Sequence, residues 1–383
     1  MFNFDNPPDR RGSDSAKWRK YHDTDIIPMW VADMDFAAPP PVIEALHQRI
    51  DHGVFGYGAV SKPLSATVVD YLQRSFQWQV DPRWIVWLPG VVPGFNVACR
   101  CVGETGDAVL TTVPAYPPFL SAPKNTRRRL ITSRWCHSND HWEMDFDDLR
   151  KSIDDHTRLF ILCNPHNPTG RVLTRDELTA LARICLDRGL IICSDEIHCD
   201  LIMEPGCRHI PMASLSPEIA RHTITLMAPS KTYNVPGLGC AFAVISNDTL
   251  RRRFKQAMAG IVPYVNIMGM AAAQAAYQYG GPWLEAVIDY LRQNLDMVTQ
   301  TVNRMPGLAM GKVQATYLAW IDTRELKIGN PGKWFESAGV GLSDGIEFDG
   351  PGFVRLNFGC QRSLLTQALE RMNAAVKKHR TIS

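Results

Sequence analysis

Three residues of different chemistry stand at regular places in this chain. Asn167 lies in Asn164-Pro-His-Asn-Pro-Thr-Gly170, Asp195 in Ser194-Asp-Glu-Ile-His198, and Lys231 in Pro229-Ser-Lys-Thr-Tyr-Asn234. A lysine amine can bond covalently to a carbonyl compound or carry a proton, a carboxylate can hold a cation in place, and an amide can donate to an oxygen. Taken singly, each has an ordinary reading: the first string as a turn, the aspartate as a helix cap and the lysine as a solvated surface residue. What sets them apart is their order and their separation by 28 and 36 residues, each directly after an apolar run. Metal ligation is not indicated. The ten cysteines are scattered, and the close pair Cys99 and Cys101 has no second pair at ligand spacing, so they are read as reduced thiols.

The runs that must position these residues alternate with amphipathic stretches from about residue 80 to 245. That is the pattern of a parallel sheet with helical crossovers. Expected strands are Trp84–Leu88, Ala108–Thr112, Leu159–Cys163, Leu190–Ser194, Thr223–Met227 and Cys240–Ile245, nearly apolar throughout because helices would cover both faces. A helix is expected over Arg175–Arg188, opened by Thr174 with Glu177 in a capping box, and apolar at Leu178, Leu181, Ala182 and Cys185. Residues 271–303 read as long helix interrupted by Gly-Gly-Pro at 280–282, and a last helix runs over Ser363–Lys378. Open α/β sheets bind ligands beyond the carboxyl ends of their strands, which is where Asn167, Asp195 and Lys231 fall.

In that arrangement the chain resembles the fold type I enzymes dependent on pyridoxal 5′-phosphate, the aspartate-aminotransferase superfamily. The resemblance implies an α/β fold: a large domain with a mostly parallel seven-stranded sheet between helices, and a smaller α+β domain built from both termini. The expected division is 1–40 joining the small domain, 41–282 as the cofactor domain and 283–383 as the C-terminal small domain. It also implies that Lys231 holds the cofactor and then serves as base at the substrate Cα, that Asp195 pairs with the pyridine nitrogen, and that Asn167 bonds the phenolic oxygen. A carboxylate beside that nitrogen favours its protonated form, which makes the ring an electron sink.

The same resemblance assigns the remaining site. Leu88-Pro-Gly-Val-Val-Pro-Gly94 places the amides of Val91 and Val92 at a helix start suited to phosphate, with Ser230 adding a hydroxyl. A Gly/Pro turn without function is the alternative. Tyr116 matches the residue stacked on the cofactor ring, with a packed loop tyrosine as its alternative, and Tyr57 the residue that reaches the phosphate of a neighbouring subunit. Arg355, in Phe353-Val-Arg-Leu-Asn-Phe358, matches the arginine that grips the substrate carboxylate; an arginine on a strand edge is the plainer reading. Where the wider superfamily has a phosphate-binding arginine eight residues after the lysine, this chain has Gly239, which argues against an ordinary aminotransferase.

Longer strings narrow the group. Asp9-Arg-Arg-Gly-Ser-Asp-Ser-Ala-Lys-Trp18, Pro28-Met-Trp-Val-Ala-Asp-Met-Asp-Phe36, Ser194-Asp-Glu-Ile-His198 and Pro229-Ser-Lys-Thr-Tyr-Asn234 are similar to the bacterial C–S lyases of the MalY/PatB group. This implies β-elimination from L-cystathionine or related cysteine S-conjugates, with Ala32 beside the substrate. It also implies His198 near the cofactor oxygen, where many aminotransferases have tyrosine, although a satisfied structural histidine is an equal reading. Transamination, and a pyridoxal-phosphate-binding regulator, are the alternatives.

Size and charge agree with an enzyme of small molecules. With 383 residues, 45% hydrophobic and 21% charged, the chain has room for two domains. Its net charge of +2 provides no global field for nucleic acid or anionic membrane. Apolar runs are far shorter than the roughly 20 residues of a membrane span, and the first residues lack the apolar core of a secretory signal. The expectation is a cytoplasmic homodimer with sites shared across its interface, acting on an amino-acid substrate.

Overall fold

The computed structural model describes residues 2–138 and 141–382. Its centre is a sheet of eight strands, in the order Ile85–Leu88, Ala241–Val244, Thr223–Met227, Ile191–Asp195, Thr157–Cys163, Ala108–Val113, Arg129–Ser138 and His141–Met144. From Thr223–Met227 to Arg129–Ser138 the pairings are parallel, and the edges are antiparallel. The six strands expected from apolar runs are all present. Arg129–Ser138 and His141–Met144 carry no long apolar run, because polar residues interrupt them along a partly exposed edge, and the second of them takes the sheet one strand beyond the seven expected.

Helices cover both faces, and their ends follow local chemistry. The helix Arg175–Asp187 is closed at its start by the reciprocal capping box: the Glu177 amide donates to Thr174 Oγ1 (3.3 Å) and the Thr174 amide to Glu177 Oε2 (2.7 Å). Such a cap contributes about 1 kcal/mol. The stretch expected as interrupted helix is two helices, Ile267–Tyr279 and Gly281–Val302, parted at Gly280. A Cβ at Gly280 would stand 2.5 Å from both Ala276 O and the Tyr233 ring, so this junction requires glycine.

A smaller antiparallel sheet, Ala309–Met310, Leu318–Asp322, Phe353–Asn357 and Ser343–Asp344, packs against Gly281–Val302 and the last helix, Arg362–Ile382. The N-terminal Ile27–Pro28 pairs with Val340–Gly341. Between this pairing and the first long helix runs the loop 29–36, which crosses from the small sheet towards the ends of the large one.

Candidate active site

Strand register sets the geometry of the site. Cys163 pairs with Asp195 and Asp195 with Leu226, so the three central strands end level with one another. The chain leaves them through Asn164–Gly170, Glu196–Asp200 and Ala228–Lys231, and these turns share one rim. Asp195 is the last residue of its strand, and Lys231 lies in the short helix Pro229–Thr232.

Lys231 is half-buried and its Nζ donates to the Ala32 carbonyl, which also accepts from the Tyr317 hydroxyl (3.0 Å). Burial pushes the lysine down to about 8, opposed by Asp33 and Asp195 and assisted by Arg355. The amine can therefore hold or release a proton near neutral pH. Asp195 is buried, and its carboxylate has one hydrogen bond, from the Ile197 amide (3.1 Å). Burial raises it to about 7 against the opposing Ile197 hydrogen bond and Lys231 charge, and among the described residues no cation forms an ion pair with it.

Arg355 is the reverse case: a buried guanidinium that makes no ion pair among the described residues. Nη1 donates to Asn167 Oδ1 (3.0 Å), Nη2 to Trp30 O (2.8 Å) and Ser343 Oγ (3.4 Å), and the cation lies 4.7 Å from the centre of the Phe348 ring. Its Nε has no partner. Burial lowers even this strong base to about 10. Its fork is thus aimed by neutral groups and lacks an anion, the condition in which a substrate carboxylate is bound best. Asn167, with its oxygen engaged by Arg355, keeps its amide NH2 for another acceptor. His198 is buried with Nδ1 unpartnered, and burial holds it at about 3, so it is a neutral imidazole. Tyr116 feels the charges of both Arg355 and Asp195, which puts it in the same cleft, and its phenol is raised by burial.

Lys231, Asp195, Asn167, Arg355, Tyr116, His198 and Ala32 are thus together. On the adjoining rim, Leu88 pairs with Ala241 and Met227 with Phe242, so the turns carrying Val91, Val92 and Ser230 leave the sheet on the same side. Val91 and Val92 open the eleven-residue helix Val91–Cys101, whose first amides have no partner within the helix. Gly239 has φ +59°, and a Cβ there would stand 3.2 Å from Pro89 O, so the backbone here favours glycine. Tyr57 is fully exposed, at 105%, and belongs to no site of its own chain.

Four contributors escaped the sequence reading: Tyr317, Asp33, Trp30 and Ser343. Tyr317 lies in the bend before the strand Leu318–Asp322 and Ser343 in the two-residue strand Ser343–Asp344, and neither position is marked by a motif. Asp33 and Trp30 lie inside a string recognised as a group marker, and only the fold shows that they face Lys231 and Arg355. The groups match pyridoxal phosphate on independent grounds: an amine for the aldehyde, an acid short of a cation for the ring nitrogen, unpaired amides for phosphate, and an unpaired imidazole nitrogen and amide beside the ring.

This rim of strand ends, with its amine, acid and guanidinium, defines a fold type I pyridoxal-phosphate enzyme. Residues 24–372 match the family of class I and II aminotransferases, and the chain belongs to it. It is 36% identical to cystathionine beta-lyase PatB of Bacillus subtilis, over 98% of this chain and 100% of the relative. It is 33% identical to protein MalY of Escherichia coli, over 98% and 99%. These relatives place it in the PatB/MalY group of that family. Among solved structures it resembles OvoB, with TM-score 0.96, 47% identity and coverage of 98% of this chain and 99% of that one. It also resembles cystalysin from Treponema denticola, which contains pyridoxal 5′-phosphate, with TM-score 0.94, 33% identity and 99% coverage of each chain.

Proposed function

We propose that this chain is a pyridoxal-phosphate-dependent carbon–sulfur β-lyase, which with water converts L-cystathionine or a related cysteine S-conjugate to a thiol, pyruvate and ammonia. The observation that carries the reading is the coexistence of Lys231, Asp195 and Arg355 in one buried cleft, each lacking the partner that cofactor or substrate supplies. The names of PatB and of the Treponema structure's cofactor support it. When bound, pyridoxal phosphate supplies the conjugated sink for the electron pair left at the substrate Cα.

The chain's own residues do the rest. Lys231 anchors the cofactor through Nζ and, once freed by the substrate amine, takes the Cα proton; its affinity near 8 suits both tasks. Asp195 holds the proton on the ring nitrogen. Arg355 grips the α-carboxylate and so fixes which Cα bond faces Lys231. With the cofactor bound, Asn167 and His198 would hold its phenolic oxygen, Tyr116 would stack on its ring, and Val91, Val92 and Ser230 would receive its phosphate. Ala32 lines the substrate side through its carbonyl.

The active unit is a homodimer in the cytoplasm. Val54, Phe55, Tyr57, Ile261 and Tyr264 are exposed, and the packing of Gly58 against Ile267 and Met270 holds the 54–60 segment to the molecule. An apolar surface of this kind suits a second copy, whose phosphate Tyr57 would reach. No helix of the described residues is long and apolar enough to cross a membrane. The pairing of Ile27–Pro28 with Val340–Gly341 supports the division into a large domain, 41–282, and a small one from both termini.

Purified protein with L-cystathionine, and in parallel with 2-oxoglutarate added, tests the activity. Pyruvate and thiol are expected at similar rates in both; glutamate formed in place of pyruvate overturns the reading in favour of transamination.

A further inference from the structure

The strings that mark the group are dispersed in sequence, yet the fold brings two of them, and the strand of Arg355, onto the loop formed by a third. From the first, Arg10 donates to Asp33 Oδ2 (2.7 Å), Asp35 Oδ1 (2.8 Å) and the Met34 carbonyl (3.0 Å). The fully buried Lys17 pairs with Asp35 Oδ2 (2.8 Å), and Trp18 Nε1 donates to Asp35 Oδ1 (3.0 Å). From the string around the lysine, Asn234 accepts from the Met34 amide (2.9 Å) and donates to the carbonyls of Met34 (2.9 Å) and Phe36 (2.7 Å). From the strand of Arg355, Asn357 donates to the carbonyls of Val31 and Asp33. Residues 31–36 are therefore held from three directions. A loop needs far less than this merely to stay on the surface.

The chemistry of the loop shows what the clamp serves. Its Ala32 carbonyl receives Lys231 Nζ, and the next residue, Asp33, has one oxygen on Arg10 and the other, Oδ1, buried without a hydrogen bond. A carboxylate oxygen without a donor costs about 1–3 kcal/mol or more unless a nearby charge compensates it. We propose that Asp33 is the counter-ion of Lys231, delivered to the site by the Arg10-bearing N-terminal segment, and that its charge sets how readily the lysine amine takes and releases a proton. Asp33 is a positioning residue in this role, since it acts through Lys231.

The neighbouring charges leave this role open to Asp33 above the others. From the large sheet Lys231 faces Asp195, whose charge is answered by the ring nitrogen when the cofactor is bound. From the small sheet it faces Arg355, which disfavours the ammonium, and His198 beside it is neutral. Asp33 is the largest favourable charge on Lys231, and it acts on the Tyr317 phenol as well. Arg10 pairs with both Asp33 and Asp35, and Lys17 with Asp35, so this cluster holds two cations against two carboxylates, with Asp33 Oδ1 left without a hydrogen bond. When Lys231 takes the Cα proton, the negative charge of Asp33, next in the chain to the Ala32 carbonyl that Nζ meets, favours the new ammonium.

The inference rests on Lys231 as anchor and base, so cofactor content is measured on every variant as a separate quantity. The test uses the full-length chain freed of cofactor. The rate of Lys231 labelling by an amine-directed reagent is followed against pH by peptide mass, with exposed Lys20 as internal reference. Asp33→Asn keeps the shape and removes the charge, and the Lys231 midpoint is expected to fall by about one unit or more. Asp33→Glu restores the charge and is expected to return the midpoint towards the parent. If Asp33→Asn shows no cooperative unfolding transition, Asp33→Ser, with a hydroxyl opposite Arg10, carries the same comparison. A Lys231 midpoint unchanged in a folded variant that lacks the carboxylate overturns the proposal. Lost cofactor binding with an unchanged midpoint does the same, and assigns the loop a structural role alone.

Discussion

Replacing Arg355 by lysine separates the charge of the carboxylate grip from its geometry. The guanidinium is oriented by Asn167 Oδ1 at 3.0 Å and Trp30 O at 2.8 Å, and its planar fork presents parallel N–H groups to an incoming carboxylate. An ammonium keeps the charge but offers one point of contact, and with it goes one charge-assisted hydrogen bond of about 1.5–3 kcal/mol. At about 1.4 kcal/mol per factor of ten, kcat/KM for L-cystathionine should fall roughly 10- to 150-fold. Because the carboxylate is held before and during proton removal alike, most of the loss should appear in KM. Thiol release serves as assay, from L-cystathionine and from its analogue with hydrogen in place of the α-carboxylate. The parent should favour the true substrate strongly, and Arg355→Lys should lose most of that preference while treating the analogue almost as the parent does. An equal fall for both compounds, or a preserved preference, would refute the assignment of Arg355 to the carboxylate.

Three further outcomes are expected. Lys231→Ala should lose its visible absorbance on dialysis, and borohydride should fix no pyridoxal phosphate to it; cofactor recovered on another peptide contradicts the role of Lys231. In the cofactor-free chain Asp195 is raised by burial to about 7, so the folded state keeps a proton that the unfolded chain releases near 4, and stability is lost as pH rises through that window. Asp195→Asn should remove this dependence, up to ~4 kcal/mol between pH 4 and 8, and denaturant midpoints that vary with pH as the parent's do would contradict it; its elimination rate should also fall by at least ~100-fold. Mixing Lys231→Ala with Tyr57→Phe under conditions of subunit exchange should raise activity above the sum of the two; no gain, or an unchanged cofactor affinity in Tyr57→Phe, would exclude a shared site.

The central strands were legible because they are buried on both faces, which leaves uninterrupted apolar runs such as Leu159–Cys163, and because Asn167, Asp195 and Lys231 follow such runs directly. The edge strand Arg129–Ser138 was not, since one exposed face breaks the run with polar residues. Arg355 was found through its string, but its neighbours were hidden for a different reason. Trp30 O, from the loop after Ile27–Pro28, and Ser343 Oγ, from the small sheet, come from segments far apart in sequence that the fold brings within 3.4 Å of the guanidinium. Backbone carbonyls such as that of Ala32 have no signature at all, because every residue carries one and only the fold selects which of them meets an amine.

The site is organised by charges left incomplete. Burying a cation such as Arg355 without an anion, or an acid such as Asp195 without a cation, costs stability that the rest of the fold must offset. Neutral groups reduce that cost without cancelling the charge: carbonyl and amide oxygens and the Phe348 ring around Arg355, and a single amide at Asp195. Had Asp195 and Arg355 been paired with each other, both would be more stable and neither would be available. They are instead unpaired with each other, Arg355 being bonded to Asn167, and on the proposed assignment this leaves one open to the ring nitrogen and the other to the α-carboxylate. On the proposed assignment the same separation would orient the substrate, turning one bond at Cα towards Lys231 before any proton moves.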